Sequence, residues 1–223
     1  MSSIVQELQS EAMSHTGSVL GLLRKALLVS TKLNLQEVRT WAKCEIEGYG
    51  EAPVPGYRHF PSQIKVLNPY HGWQPLRFPN DEDGLEWRRR FTQIEIGKPV
   101  AEVEAWLASG GTTISVPVSP ETSHDWGVDY PISRFVSKAA LAIIPERVRS
   151  NILEWSLELE NKGILGEGLS FTAKEKAQAP SVTTNNFYAP QYQNNGQVGA
   201  MGDSAAAGGL KQTLTRIFRK RKA

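Results

Sequence analysis

The sequence predicts a mostly α (α+β) protein: a helical bundle with a small β-containing insertion, an uncharged low-complexity segment and a basic C-terminal helix. Three observations carry this. Apolar residues recur at helical spacing over residues 3–47 and again after residue 132. Between them, residues 51–80 hold six Pro and alternate apolar with polar positions, the habit of turns and short strands. At Pro180 the composition changes: residues 181–202 contain no Lys, Arg, Asp or Glu and are rich in Asn, Gln and Gly.

The bundle is expected to have about five helices. The first runs from Ser3 to about His15, with Ile4, Val5, Leu8 and Ala12 on one face and Ser2 or Ser3 as cap. Thr16-Gly17 breaks it. The second, Ser18 to about Leu33, is apolar around much of its circumference, as a central bundle helix would be. Asn34 and Glu37 have the N-x-x-E spacing of a capping box and predict the start of a third helix. That helix buries Leu35, Val38, Trp41, Ala42 and Ile46 and ends at Gly48 and Gly50.

In the insertion, placed between residues 51 and 120, Ile64/Val66 and Leu76/Phe78 mark short strands. Pro99–Ala108 reads as a short helix opened by Pro99, facing inward through Val100, Val103, Trp106 and Leu107. TTISVPV, residues 112–118, alternates, and Pro117 demotes it to an edge strand. From Ile132 to Ile144 the pattern reads as helical. Pro145 then opens the clearest helix, with Val148, Ile152, Trp155 or Leu153, and Leu159 as its stripe and Gly163 as its stop. ILGEGLSFT reads as extended and AKEKAQA as a polar helical turn. The expected divisions are a folded domain over 1–176, a linker or oligomerisation segment over 177–209 and a basic amphipathic tail over 210–223.

Charge is distributed unevenly. Of 25 basic and 23 acidic side chains, six basic and no acidic ones follow Asp203, leaving 19 against 23, a net −4, over residues 1–203. This describes one electrostatic handle rather than a surface coated for nucleic acid. The single cysteine, Cys44, excludes an internal disulfide and a cysteine-rich metal site. The N-terminus is acidic and amphipathic, unlike a secretory signal, and no apolar run reaches about 18 residues. A cytoplasmic protein, peripheral to a membrane at most through its tail, is expected.

Candidates for chemistry are sparse. His15, His59, His71 and His124 have no partner at metal-face spacing, so no metal and no cofactor are expected. His124-Asp125 reads as a polar loop pair. Cys44 would need a His nearby in space to act as a nucleophile. Glu45, Glu47 and Glu51 cluster at a helix end without the Lys that a metal-dependent nuclease site usually carries. No phosphate loop and no dinucleotide fingerprint occurs. Arg88-Arg89-Arg90, between Trp87 and Phe91, has the makeup of a phosphate or base contact, with Glu82, Asp83 and Glu86 close enough to neutralise it. Tyr57, His59, Phe60, Tyr70, His71 and Trp73 make either a recognition surface or a small core. The catalytic residues are unknown from sequence.

The C-terminal part suggests association. Uncharged Asn/Gln-rich sequence with aromatics is competent for cross-β pairing, which nominates Phe187, Tyr188, Tyr192, Gln197 and Val198 for oligomerisation; a plain linker remains the alternative. Asn195–Gly199 resembles the short Gln-Val-Gly cores of amyloid signalling motifs. In the tail, Lys211, Arg216, Phe218, Arg219, Lys220, Arg221 and Lys222 would meet an anionic membrane or a phosphate backbone. At fewer than about four turns it would bind weakly alone and gain from oligomerisation.

Two blocks, LLRKALLVSTKLNLQEVRTWAKCEIEGYG followed by VPGYR, and NILEWSLELENKGILGEGLSF, resemble the AbiTii domain family over about Leu22–Phe171. The resemblance implies bacterial abortive-infection, antiphage defence, and a toxin or effector-associated module often joined to further C-terminal parts. No catalytic motif comes with it. Three functions stand open: a non-enzymatic, self-assembling defence module, as a homo-oligomer or docked to a defence-system partner protein; a toxin enzyme acting on nucleic acid through Glu45/Glu47 or His59/His71; and a membrane-directed effector using the tail.

Overall fold

The structure is a computed structural model that describes residues 3–78, 80–125, 128–182 and Phe187. In chain order its elements are helices α1 (Ile4–Met13), α2 (Val19–Lys32) and α3 (Gln36–Glu47), then strands β1 (His59–Pro61), β2 (Gln63–Asn68) and β3 (Gly72–Pro75). Helix α4 (Glu82–Phe91), β4 (Gln93–Glu95), α5 (Val100–Ala108), β5 (Thr113–Pro117) and α6 (Pro120–Asp125) follow. Strand β6 (Ile132–Ser137) and helices α7 (Lys138–Leu141), α8 (Ile143–Asn161) and α9 (Ala173–Gln178) complete it. The result is a mixed α+β protein, and the chain divides into two compact units.

The first unit comprises Met1–Phe60, Glu95–Thr112 and Lys138–Gln191. Its core is one cluster of buried side chains from α1, α2, α3, α5 and α8 and the chain that follows α8. Ser3 caps α1 by accepting from the Val5 and Gln6 amides, and Ser18 caps α2 by accepting from Gly21 N at 3.1 Å. Helix α2 packs against α1, α3, α5 and α8, which explains why it is apolar around much of its circumference. Helix α8 buries Val148, Ile152, Trp155 and Leu159, the expected stripe, and Gly163 at φ +70° ends it. There Ile164 N returns to Leu159 O at 2.9 Å and its side chain is fully buried.

The start of α3 differs from the capping-box expectation. Asn34 sits at φ +56°, and Leu35 occupies the cap position without a side-chain cap bond. Asn tolerates the left-handed region, so it serves as the stop of α2 instead. Leu35 N bonds Ser30 O at 2.8 Å, closing that turn.

The described part of the second unit is Pro61–Ile94 and Thr113–Ser137. Four antiparallel strands lie in the order β3-β2-β6-β5, while β1 and β4 pair separately. β5 is an edge strand, as Pro117 predicted. The helical expectation for Ile132–Ile144 is corrected over its first half: Ile132–Ser137 is the inner strand β6, flanked by β2 and β5. Ile132 and Val136 are four apart, a spacing that satisfies both a helix face and every second residue of a strand. β-branched and aromatic neighbours and two available ladders decide for the strand. Helix α4, where no element was expected, is capped by Asp81 accepting from Gly84 N at 2.8 Å. Its Trp87 and Phe91 pack with Ile64, Ile132 and Phe78 as a small core on one sheet face.

Candidate functional site

Among the described residues, a fully buried ion pair lies in the first unit, at the end of α3. Helix α3 carries Trp41 and Glu45 one turn apart on its buried face. Gly48 follows at φ +94°, where a Cβ would stand 3.2 Å from Gly97 O. That turn, fixed by Tyr49 N donating to Gly97 O at 2.8 Å, brings Tyr49 back onto Glu45. Pro55 then leads into the 3-10 turn Gly56–Arg58, which delivers Tyr57 and Arg58 to the same point.

Glu45 and Arg58 are both 0 % exposed. Glu45 Oε1 accepts from Tyr49 Oη at 2.6 Å, from Tyr57 Oη and from Arg58 Nε at 3.0 Å, and Oε2 accepts from Arg58 Nη2. Arg58 Nη1 donates to Ile96 O at 2.7 Å and Lys98 O at 2.9 Å. Trp41 Nε1 donates to Tyr57 Oη at 2.9 Å. The guanidinium also lies over the Tyr49 ring, 5.1 Å from its centroid.

The electrostatics follow from burial. Both tyrosine hydroxyls are pushed far above the usual phenol range, first by burial and then by the Glu45 carboxylate. Burial opposes the charge on Arg58, but hydrogen bonds and attraction from Glu45 override it and raise the guanidinium further. A carboxylate with four donors and no solvent contact has its oxygens taken up within the fold. It organises the chain around it and has no open coordination for a substrate or metal.

The remaining candidates are dispersed. Glu47 and Glu51 are exposed, as are His15, His59, His71 and His124. His59 Nε2 lies 3.1 Å from Val54 O and 3.9 Å from Glu95. The Cys44 thiol is half-buried and raised by burial and by the Glu45 and Glu47 charges, the opposite of an activated nucleophile. Arg88 and Arg89 are exposed on α4. No group of three or more His, Cys, Asp or Glu suited to a metal occurs among the described residues. Of the aromatic stretch, Tyr57 and Phe60 are core, whereas Tyr70 and Trp73 are exposed.

Phe187, nominated for oligomerisation, is 2 % exposed and packs on Trp41 with ring centroids 4.4 Å apart. Tyr188, Tyr192, Gln197 and Val198, and the tail residues Lys211, Arg216, Phe218, Arg219, Lys220, Arg221 and Lys222, lie outside the described residues.

Two features escaped the sequence reading. Tyr49, Tyr57 and Arg58 were not singled out as partners of Glu45, although E-G-Y and P-G-Y-R were visible as motifs. In the second unit a cleft of about 630 Å³ is lined by Trp73, Pro117, His124, Tyr130 and Ser133 among others. Apart from Trp73, its lining comes from the single stretch 117–133, which carries no recognisable motif.

The fold and this site define an α+β module organised by a buried Glu–Arg–Tyr network, built from the residues of its two most distinctive motifs. The chain belongs to the AbiTii family, whose model matches residues 3–184. The family's name points to abortive-infection defence. Neither the curated proteins nor the solved structures returned a match. Among the described residues, no helix is long and apolar enough to cross a membrane.

Proposed function

We propose that this chain is an abortive-infection defence module that works by assembling with itself or docking to a defence partner, and performs no bond-making chemistry of its own. The state of Glu45 supports this most directly. It is the carboxylate nearest to a catalytic candidate, and its oxygens are taken by four donors from within the fold. The uncharged segment after Phe187 then supplies the pairing element, and the basic tail supplies weak contacts that multiply in an oligomer.

The test is phage protection in cells expressing the whole chain with Glu47, Glu51, His59 and His71 all replaced by Ala. These four are exposed, so the fold should survive. Protection should be retained. Its loss in a folded variant would move the assignment to a toxin enzyme. Light scattering of the chain with and without residues 188–202 tests assembly; a monomer in both cases would defeat it. The deletion starts after Phe187 because that ring belongs to the core.

A further inference from the structure

We propose that the open face of the four-stranded sheet binds single-stranded nucleic acid by stacking bases on Trp73 and Phe135. This rests on the second unit alone and not on the assembly reading.

Strand alternation sorts the sheet residues into two sets. Ile64, Val66 and Ile132 lie on the face packed with Trp87 and Phe91 of α4. The ladder registers place Gln63 and Ser115 opposite Phe135, and Lys65 opposite Ser133 and Pro75, all on the other face. On that face Gln63, Trp73, Pro75 and Ser115 are exposed, Lys65, Leu67 and Phe135 are half-buried, and Ser133 is buried. Trp73 stands edge-on to Phe135 at 5.3 Å between centroids, and Lys65 Nζ sits 4.6 Å from the Phe135 centroid.

Two aromatic rings and a cation on an open antiparallel sheet are the parts of a single-strand platform: π-faces that accept any base, and a charge for the backbone. The charge arrangement favours a polyanion over a peptide. The strand positions on this face, from Thr113, Ser115 and Pro117 of β5 across to Trp73 and Pro75 of β3, include Lys65 and no acid. No acid of the second unit occupies a strand position of this face; Asp129 lines the cleft at its end. Lys65 has no carboxylate within ion-pair distance among the described residues, so its ammonium is available to a phosphate. At the sheet's end the face runs into the cleft of about 630 Å³ beside Trp73, within the range of about 300–1,000 Å³ that holds small planar ligands. Its lining includes Asp129, so we assign the cleft to a base and the phosphates to the Lys65 side.

The basic tail would also attract any polyanion, so the experiment must separate stacking from charge. The whole chain is titrated, by fluorescence anisotropy at fixed salt, against a labelled oligothymidylate of about 12 nucleotides. An abasic strand of the same length and charge serves as comparison. The base-bearing strand should bind about ten-fold tighter or more, and Trp73→Ala or Phe135→Ala should remove most of that preference. Trp73→Phe should restore it, and Lys65→Ala should flatten the salt dependence by about 0.7 in log–log slope. Should either alanine variant fail to fold by circular dichroism, Trp73→Leu keeps the apolar area without the ring and should lose the preference alike. Equal binding of the two strands overturns the proposal. So does a preference untouched by the Trp73 and Phe135 variants, or binding of a peptide at this face in place of the strand.

Discussion

Glu45→Gln is the sharpest probe of the buried network. The substitution is nearly isosteric, so it opens no cavity. It leaves Arg58, fully buried, without a counter-charge, and it places an amide NH₂ where Oε1 or Oε2 now accepts. Removing one partner of a buried pair typically costs about 3–5 kcal/mol. Against a total stability of about 5–15 kcal/mol for a domain, that is a large share. At about 2–4 °C per kcal/mol for a chain of this size, the midpoint of thermal unfolding should fall by about 6–20 °C. Urea denaturation followed by far-UV circular dichroism would give the free energy, and the difference in tryptophan fluorescence between the chain and its Trp41→Phe variant would report the site itself. Arg58→Met should cost a similar amount, since it strands the carboxylate. The double variant Glu45→Met/Arg58→Met should cost clearly less than the two added together, because no unpaired charge remains. It should not recover fully, since the Tyr49 and Tyr57 hydroxyls lose their acceptor at about 1–3 kcal/mol each. A loss below about 1 kcal/mol for Glu45→Gln, or strict additivity in the double variant, would show that the pair does not hold the fold in this way.

The same network predicts a response to alkali. Tyr49 and Tyr57 have folded-state values raised above the ordinary phenol value of 10.0. Their contribution is therefore complete below about pH 10 and is lost as pH rises beyond it. Ultraviolet titration of the six tyrosines should leave two unionised until the domain unfolds; six ionising together in the folded state would contradict this. At the other end of the domain, Glu175 is set up in the opposite sense. Burial works against its charge, but the amides of Gly166, Thr172 and Leu165 and the Thr172 hydroxyl hold it below the usual carboxylate range. Its contribution is thus present above the ordinary carboxylate value and lost as pH falls through the lowered one. Glu175→Gln should lower the urea midpoint at neutral pH and make little difference once the carboxylate is protonated. An undiminished difference in acid would show that the carboxylate's charge is not what matters.

Several helices were legible from the spacing of their buried face: α1 and α2, which Ser3 and Ser18 cap, and the Val148–Leu159 stripe of α8, which has no side-chain cap; α4, capped by Asp81, was not. The Ile132 segment was not, because a spacing of four is compatible with both periods and only the neighbouring strands resolve it. Asn34 misled because the same residue type that caps a helix start also tolerates the left-handed stop of the helix before it. At the site, Glu45 was visible as an acid and Tyr57–Arg58 as a motif. What sequence cannot display is that a left-handed Gly48 and a 3-10 turn bring them together, turning a surface-looking acidic cluster into one buried carboxylate and two exposed ones.

Phe187 has a consequence of its own. Its ring covers Trp41, Trp41 donates to Tyr57, and Tyr57 donates to Glu45. The uncharged segment is therefore tied into the core: its first aromatic residue is the outer link of a chain of contacts that ends at the buried ion pair. Anything that draws that segment away, such as a partner or a growing assembly, must lift this ring and let water reach an indole that is now dry. Trp41 is thus a built-in optical gauge of whether the C-terminal part is seated or withdrawn.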